Sequence, residues 1–177
     1  MPNHKLKNRI EYVSFRIALA GLKLLPPEAA KAVLKGLFWF GGWVIGIRKN
    51  VALQQLSKIF PDKNSKEKAA IIKKLYRNMA LSIYECYLMD DETLYKNIRI
   101  EGREFIEEAL SLKRGAIFAT AHYGNWEAAR ILPKAGIPIS GIAKPQRNVL
   151  FDKYTNTIRE RCGMRIINMK RGLRDIV

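Results

Sequence analysis

From Ala116 to Met169 the chain alternates short runs of apolar and β-branched residues with stretches at helical spacing. A-I-F-A-T-A at 116–121 reads as a short buried strand, followed by a helix over 126–134. P-I-S-G-I-A-K at 138–144 is again a strand, 149–161 a helix, and R-I-I-N-M at 165–169 a third strand. Strand, helix, strand, helix, strand is the pattern of a parallel sheet covered by helices. The expected fold class is therefore α/β: a partial parallel sheet with flanking helices, preceded by a helical, membrane-associated amino-terminal part.

The front half lacks this alternation. I-E-Y-V-S-F-R-I-A-L-A-G-L-K-L-L, residues 10–25, ends at Pro26-Pro27, a natural helix stop. Arg9, Arg16 and Lys23 recur every seven residues, so three cations line one stripe of a largely apolar helix. That stripe suits a helix in a lipid headgroup layer or a tilted segment whose cations snorkel to phosphate; it equally suits a core helix with a solvated edge. The apolar run Leu37–Ile47, which holds Trp39 and Trp43 and is bracketed by Lys35 and Arg48, falls short of the roughly 20 residues of a spanning helix. No small-residue cleavage site follows the first apolar region, so secretion is not predicted.

A further helix is expected over Arg48–Phe60, closed by Pro61-Asp62. Asn64 with Glu67 three positions later predicts a capping box, opening a helix whose apolar spacing runs to about Leu88. R-E-F-I-E-E-A-L-S-L, from Arg103, is another helix, stopping near Gly115. Three segments follow: membrane-associated helices at 1–47, a helical segment at 48–95, and an α/β portion at 96–177.

An apolar content of 48% in 177 residues is ample for a buried core. Against 16 acidic residues stand 32 Lys and Arg, a formal charge of +16. Such a chain attracts polyanions: nucleic acid, anionic lipid, phosphorylated substrates or an acidic carrier protein. Neither a nucleic-acid-binding module nor aromatics interleaved with the basic residues is evident, so no nucleic-acid partner is expected. Cys86 and Cys162 have neither zinc-site nor disulfide-framework spacing and read as packed thiols.

At A-T-A-H-Y-G-N-W-E-A-A-R, residues 119–130, His122 stands at the carboxyl end of the first expected strand, where open α/β sheets place ligands. Asn125 is a candidate N-cap, and Glu127 lies in the first helical turn. On one continuous helix, residues five apart would point about 140° from each other. A turn at Gly124 removes that objection and allows the carboxylate to reach the imidazole. A His–Glu pair is suited to general-base chemistry, with the acid fixing the tautomer while the other ring nitrogen takes a hydroxyl proton. Without a serine elbow or a catalytic-looking cysteine nearby, direct attack by a substrate hydroxyl is favoured over a covalent enzyme intermediate.

H-Y-G-N-W-E resembles the H-x-x-N-W-E signature of bacterial lipid A biosynthesis acyltransferases, the late lauroyl and myristoyl transferases, within the wider H-x-x-x-x-D/E superfamily. R-K-N-V-A-L-Q-Q-L-S-K-I-F-P-D is similar to that family's R-x-N-x-x-x-x-x-F-P segment. K-P-Q-R-N and R-E-R-C-G are similar to its R-P-x-x-N and R-x-x-x-G segments, in the same order. The resemblance implies an inner-membrane enzyme facing the cytoplasm that moves an acyl chain from acyl carrier protein to a hydroxyl of a phosphorylated lipid A precursor, with no cofactor and no metal. It makes His122 the base and Glu127 its partner. Asn125, Lys144, Arg147, Asn148 and Arg159 become substrate-binding candidates, with Arg161 a further cation for phosphate or the acidic carrier.

Two departures stand out. Lys144 replaces the family's arginine, which alters any bidentate grip on phosphate. The family's D-Q and F-F-G segments have no counterpart before Val177, so the α/β domain is expected to be incomplete, and the sequence leaves open whether this chain is active alone. Rival readings are a phosphatidylinositol mannoside or other glycolipid acyltransferase, against which Glu127 in place of aspartate argues, and a non-catalytic basic module for a membrane surface or nucleic acid.

Overall fold

Ile72, Tyr76, Ala80 and Tyr84 repeat every four residues along one helix and are all buried, as a single ridge facing a core must be. The computed structural model describes residues 3–169, which fall into two compact units: Leu19–Leu88, and residues 3–18 together with 89–169. The ridge organises the first of these.

In that unit α2 (Pro27–Trp39) starts with proline at its first position, where the missing N–H is no loss, and buries Ala30 and Leu34. A π-helical turn, Phe40–Val44, continues it. The chain then bends, with Arg48 in the left-handed region at φ 57°, into α3 (Lys49–Ile59). α4 (Ser65–Tyr87) carries the ridge, and both α2 and α3 pack against it. The expected capping box is present: Asn64 Oδ1 accepts from the Lys66 and Glu67 amides at 2.9 and 3.0 Å, and Glu67 Oε2 accepts from the Asn64 amide at 2.8 Å. Gly42 is packed against the Tyr76 ring so closely that a Cβ there would come within 2.3 Å of two ring carbons.

The second unit begins with α1 (Asn3–Lys23) up to Ala18, the last turn of the helix belonging to the first unit; Arg16 of α1 donates to the Tyr12 hydroxyl at 2.8 Å and lies 4.6 Å from the Tyr154 ring centroid. α5 (Asp91–Asn97), capped by Asp90, and α6 (Arg103–Ser111) follow. A 3₁₀ helix, Trp126–Ala135, precedes β1 (Ser140–Ala143), α7 (Val149–Glu160) and β2 (Arg165–Asn168). β1 and β2 are parallel, with Gly141 opposite Ile166 and Ile142 opposite Ile167. This β-α-β unit is the crossover the sequence predicts. Leu94, Ile131 and Cys162, with Met89 and Ile98 against them, form a core cluster that ties α5 to the 3₁₀ helix and the end of α7.

Two expectations need correction. Among the described residues the sheet has two strands, not three, because 116–121 runs exposed and outside any ladder. A strand persists only where neighbouring backbone pairs with it, and Ile117 is fully exposed. The helix after His122 is present but is 3₁₀ rather than α, with Pro133 inside it, which has no N–H to donate. No single helix among the described residues is long and apolar enough to cross a membrane.

Candidate active site

Gly124 adopts φ 61°, a conformation open to glycine at no steric cost, and turns the chain into the 3₁₀ helix. Just before the turn His122 is exposed, and its ring lies against Trp126 with centroids 4.8 Å apart. Asn125 occupies the N-cap position, yet its side chain makes no capping bond, which corrects that part of the expectation. The backbone there, φ −95° and ψ 85°, departs from the extended geometry of a side-chain cap.

Glu127, in the first turn, is largely buried and is held by Arg159 of α7 through both carboxylate oxygens: Arg159 Nε donates to Oε2 at 2.9 Å, and Nη2 donates to Oε1. Arg159 Nη1 also donates to Asn156 Oδ1 at 3.0 Å. Among the described residues no hydrogen bond joins His122 to Glu127. The structure thus brings Glu127 and Arg159 together and leaves His122 on the exposed turn, against Trp126. A carboxylate has about four lone-pair sites, so the bidentate arginine leaves acceptor capacity on Glu127.

Behind this pair sits a cluster that the sequence reading missed. Arg130 is completely buried; its Nε and Nη2 donate to Asp91 Oδ1 at 3.3 Å, and Nη1 donates to the Glu127 carbonyl at 3.3 Å. Arg161 Nε donates to Asp91 Oδ2 at 2.7 Å, so this expected phosphate contact is engaged internally. Burial alone would raise the Asp91 carboxyl, but hydrogen bonds from Arg161 and Cys162 and the charges of Arg161 and Arg130 outweigh it and hold the pKa below the ordinary value. For Cys162, burial and then the Asp91 charge push the thiol up, so at neutral pH it is no nucleophile. The signal was present in A-A-R-I-L: an arginine among core-spaced residues requires a buried acid.

Lys144 and Arg147 are exposed after β1. Asn148 is buried; its Oδ1 accepts from the Leu150 amide at 3.1 Å, capping α7, while Nδ2 donates to the Asn8 carbonyl at 2.9 Å and to Glu11 at 3.3 Å. Its amide therefore anchors two helices. No group of three or more His, Cys, Asp or Glu that could hold a metal ion occurs among the described residues.

Over residues 4–177 the chain matches the family described as bacterial lipid A biosynthesis acyltransferase. The chain belongs to this family. It is 27% identical over 167 residues to the lipid A biosynthesis myristoyltransferase of Escherichia coli (strain K12), covering 90% of this chain and 51% of that protein. Lipid A biosynthesis acyltransferase 1 of Shigella flexneri is likewise 27% identical with 90% and 51% coverage, and acyltransferase 2 of the same species is 26% identical over 168 residues, with 90% and 52%. The chain thus spans about half the length of the curated relatives it matches. No solved structure matches it.

Proposed function

We propose that the protein transfers a fatty acyl chain from acyl carrier protein to a hydroxyl of a phosphorylated lipid A precursor at the cytoplasmic face of the bacterial inner membrane, with His122 as general base. The observation that carries this reading is the placement of His122 in a family member: solvent-open, on a glycine turn, directly before the helical turn that holds Glu127.

On this reading the His122 imidazole takes the proton of the acceptor hydroxyl as its oxygen attacks the thioester carbonyl. The carbon–sulfur bond then breaks, and the departing thiolate receives the proton from the imidazolium. Glu127 accepts the other ring N–H through the lone pairs that Arg159 leaves free, once the exposed turn at 121–125 swings toward it. Arg159 holds the carboxylate in register, and Asn125 supports the turn. Lys144 and Arg147, both open to solvent, suit the acceptor's phosphates or the acidic carrier. Asn148 contributes by setting the start of α7, the helix that bears Arg159.

The test incubates membranes holding the protein with acyl carrier protein loaded with defined chains and a lipid A precursor, then weighs the product. A mass gain of one acyl chain with the native protein, and none with His122→Ala, is the expected result. Unchanged turnover in His122→Ala would remove the base assignment; no acylated product from the native protein would remove the reaction.

A further inference from the structure

A cleft of about 160 Å³ opens between α7 and the two strands. Asp152, Asn156 and Glu160 stand four apart on α7 and so line it from one face of the helix. Ala143 at the end of β1, Pro145 just beyond it and Ile166 of β2 supply an apolar wall. Among the described residues no Lys, Arg or His lines the cleft, although the chain carries a formal charge of +16. Neither Asp152 nor Glu160 forms an ion pair among those residues.

The polar groups of the cleft are of both kinds. Asn156 Oδ1 accepts from Arg159 Nη1 at 3.0 Å, so the amide hydrogens of Asn156 remain as donors. Asp152 Oδ1 accepts from the Gln146 amide at 2.9 Å, which leaves its second oxygen as an acceptor, and Glu160 is an exposed acceptor beside it. Donors and acceptors next to an apolar wall match the hydroxyls of a sugar ring, each of which gives and takes a hydrogen bond above a C–H face. Two carboxylates repel a phosphate from the same space. A cation would sit close to the Arg159 guanidinium and leave the Asn156 hydrogens unpaired.

We propose that this cleft holds the uncharged, hydroxylated edge of a phosphorylated sugar ring, its C–H face against Pro145 and Ile166 and its phosphate directed out to Lys144. Lys144 stands between the wall residues Ala143 and Pro145 and is exposed, so phosphate and hydroxyls part to opposite sides of one short loop. Arg159 links the cleft to the candidate site, since one guanidinium holds Asn156 on this side and Glu127 on the other. The inference rests on the proposed transfer for the identity of the acceptor. Its assay uses no acyl donor: ring binding without acyl transfer would remove the reaction, and acyl transfer without ring binding would remove the cleft.

The full chain is titrated with glucose 6-phosphate and with glycerol 3-phosphate, which has the phosphate but no ring, and binding is read from ligand NMR signals. Glucose 6-phosphate should bind at least about fivefold more tightly, as two or more added hydrogen bonds imply. Asn156→Ala and Glu160→Ala should each weaken it about two- to tenfold, with circular dichroism reporting the fold. Glu104→Ala, an equal change of charge on exposed α6, should leave it at the native value, and Glu160→Ala should affect glycerol 3-phosphate no more than Glu104→Ala does. Equal affinity for the two phosphates would overturn the ring subsite. So would equal losses in Glu160→Ala and Glu104→Ala, or displacement of glucose 6-phosphate by ethanolamine, which would mark the cleft as a site for cations.

Discussion

Arg130, wholly buried in the 3₁₀ helix, finds its counter-charge on Asp91, 39 residues earlier in the chain. The same carboxylate holds Arg161 at 2.7 Å, so one acidic side chain fastens both the helix that carries Glu127 and the end of the helix that carries Arg159. The geometry of the candidate site rests on a residue outside the motif that marks it.

Asp91→Ala strands a buried guanidinium and should destabilise the fold by about 3–5 kcal/mol, read as a shift in urea midpoint. Replacing Arg130 by Met in the same chain should recover much of that loss, because the unpaired buried charge and not the missing attraction dominates.

Because the Asp91 pKa lies below its ordinary value in the folded protein, the unfolded chain binds its proton first as pH falls. Its contribution is therefore present above the unfolded carboxylate value of about 3.9 and is lost as pH drops through the lower folded value. Acid unfolding followed by circular dichroism should show this loss in the native chain, and Asp91→Asn should flatten the pH dependence in that window.

Gly42→Ala would drive a methyl into the Tyr76 ring and should cost about 1–3 kcal/mol. At Gly41 the nearest atom to an added Cβ is Ile47 Cδ1 at 3.5 Å, an ordinary contact. Gly41→Ala should therefore be nearly neutral or slightly stabilising. The two melting temperatures, one residue apart, check the close approach of the bend to α4.

Asn64→Ala removes an acceptor for two helix amides and should cost about 1 kcal/mol in thermal or urea unfolding. Glu67→Gln, which still reaches back to the Asn64 amide, should change stability far less.

Arg159→Lys keeps the charge beside Glu127 but gives up the two-pronged grip. Losing one charge-assisted hydrogen bond, about 1.5–3 kcal/mol, should slow acyl transfer about ten- to a hundredfold with the chain still folded. A rate equal to native would show that the grip on Glu127 has no part in turnover.

Much of the architecture was legible in the residues. Pro26-Pro27 stops one helix and starts the next, Asn64 and Glu67 announce a capping box, and the crossover from Ser140 to Asn168 follows the alternation of apolar runs. The helix stop and the capping box are decided by atoms within a few positions of one another, and the crossover by the order of its apolar runs, so sequence alone determined them. His122, Gly124 and Glu127 were likewise placed on a turn by the spacing of their motif, and the glycine does supply the positive φ.

Tertiary structure decided what depends on distant partners. Residues 116–121 have the composition of a strand but gain none of its hydrogen bonds without a neighbouring strand. Glu127 has its histidine five residues away, yet the groups that hold it come from α7, 32 positions on. Arg130 is core only because Asp91 meets it there. Composition sets what a segment can bury; which charge or backbone edge arrives to pair with it is a property of the folded chain, because pairing energies at long range are set by geometry and not by the neighbours in sequence.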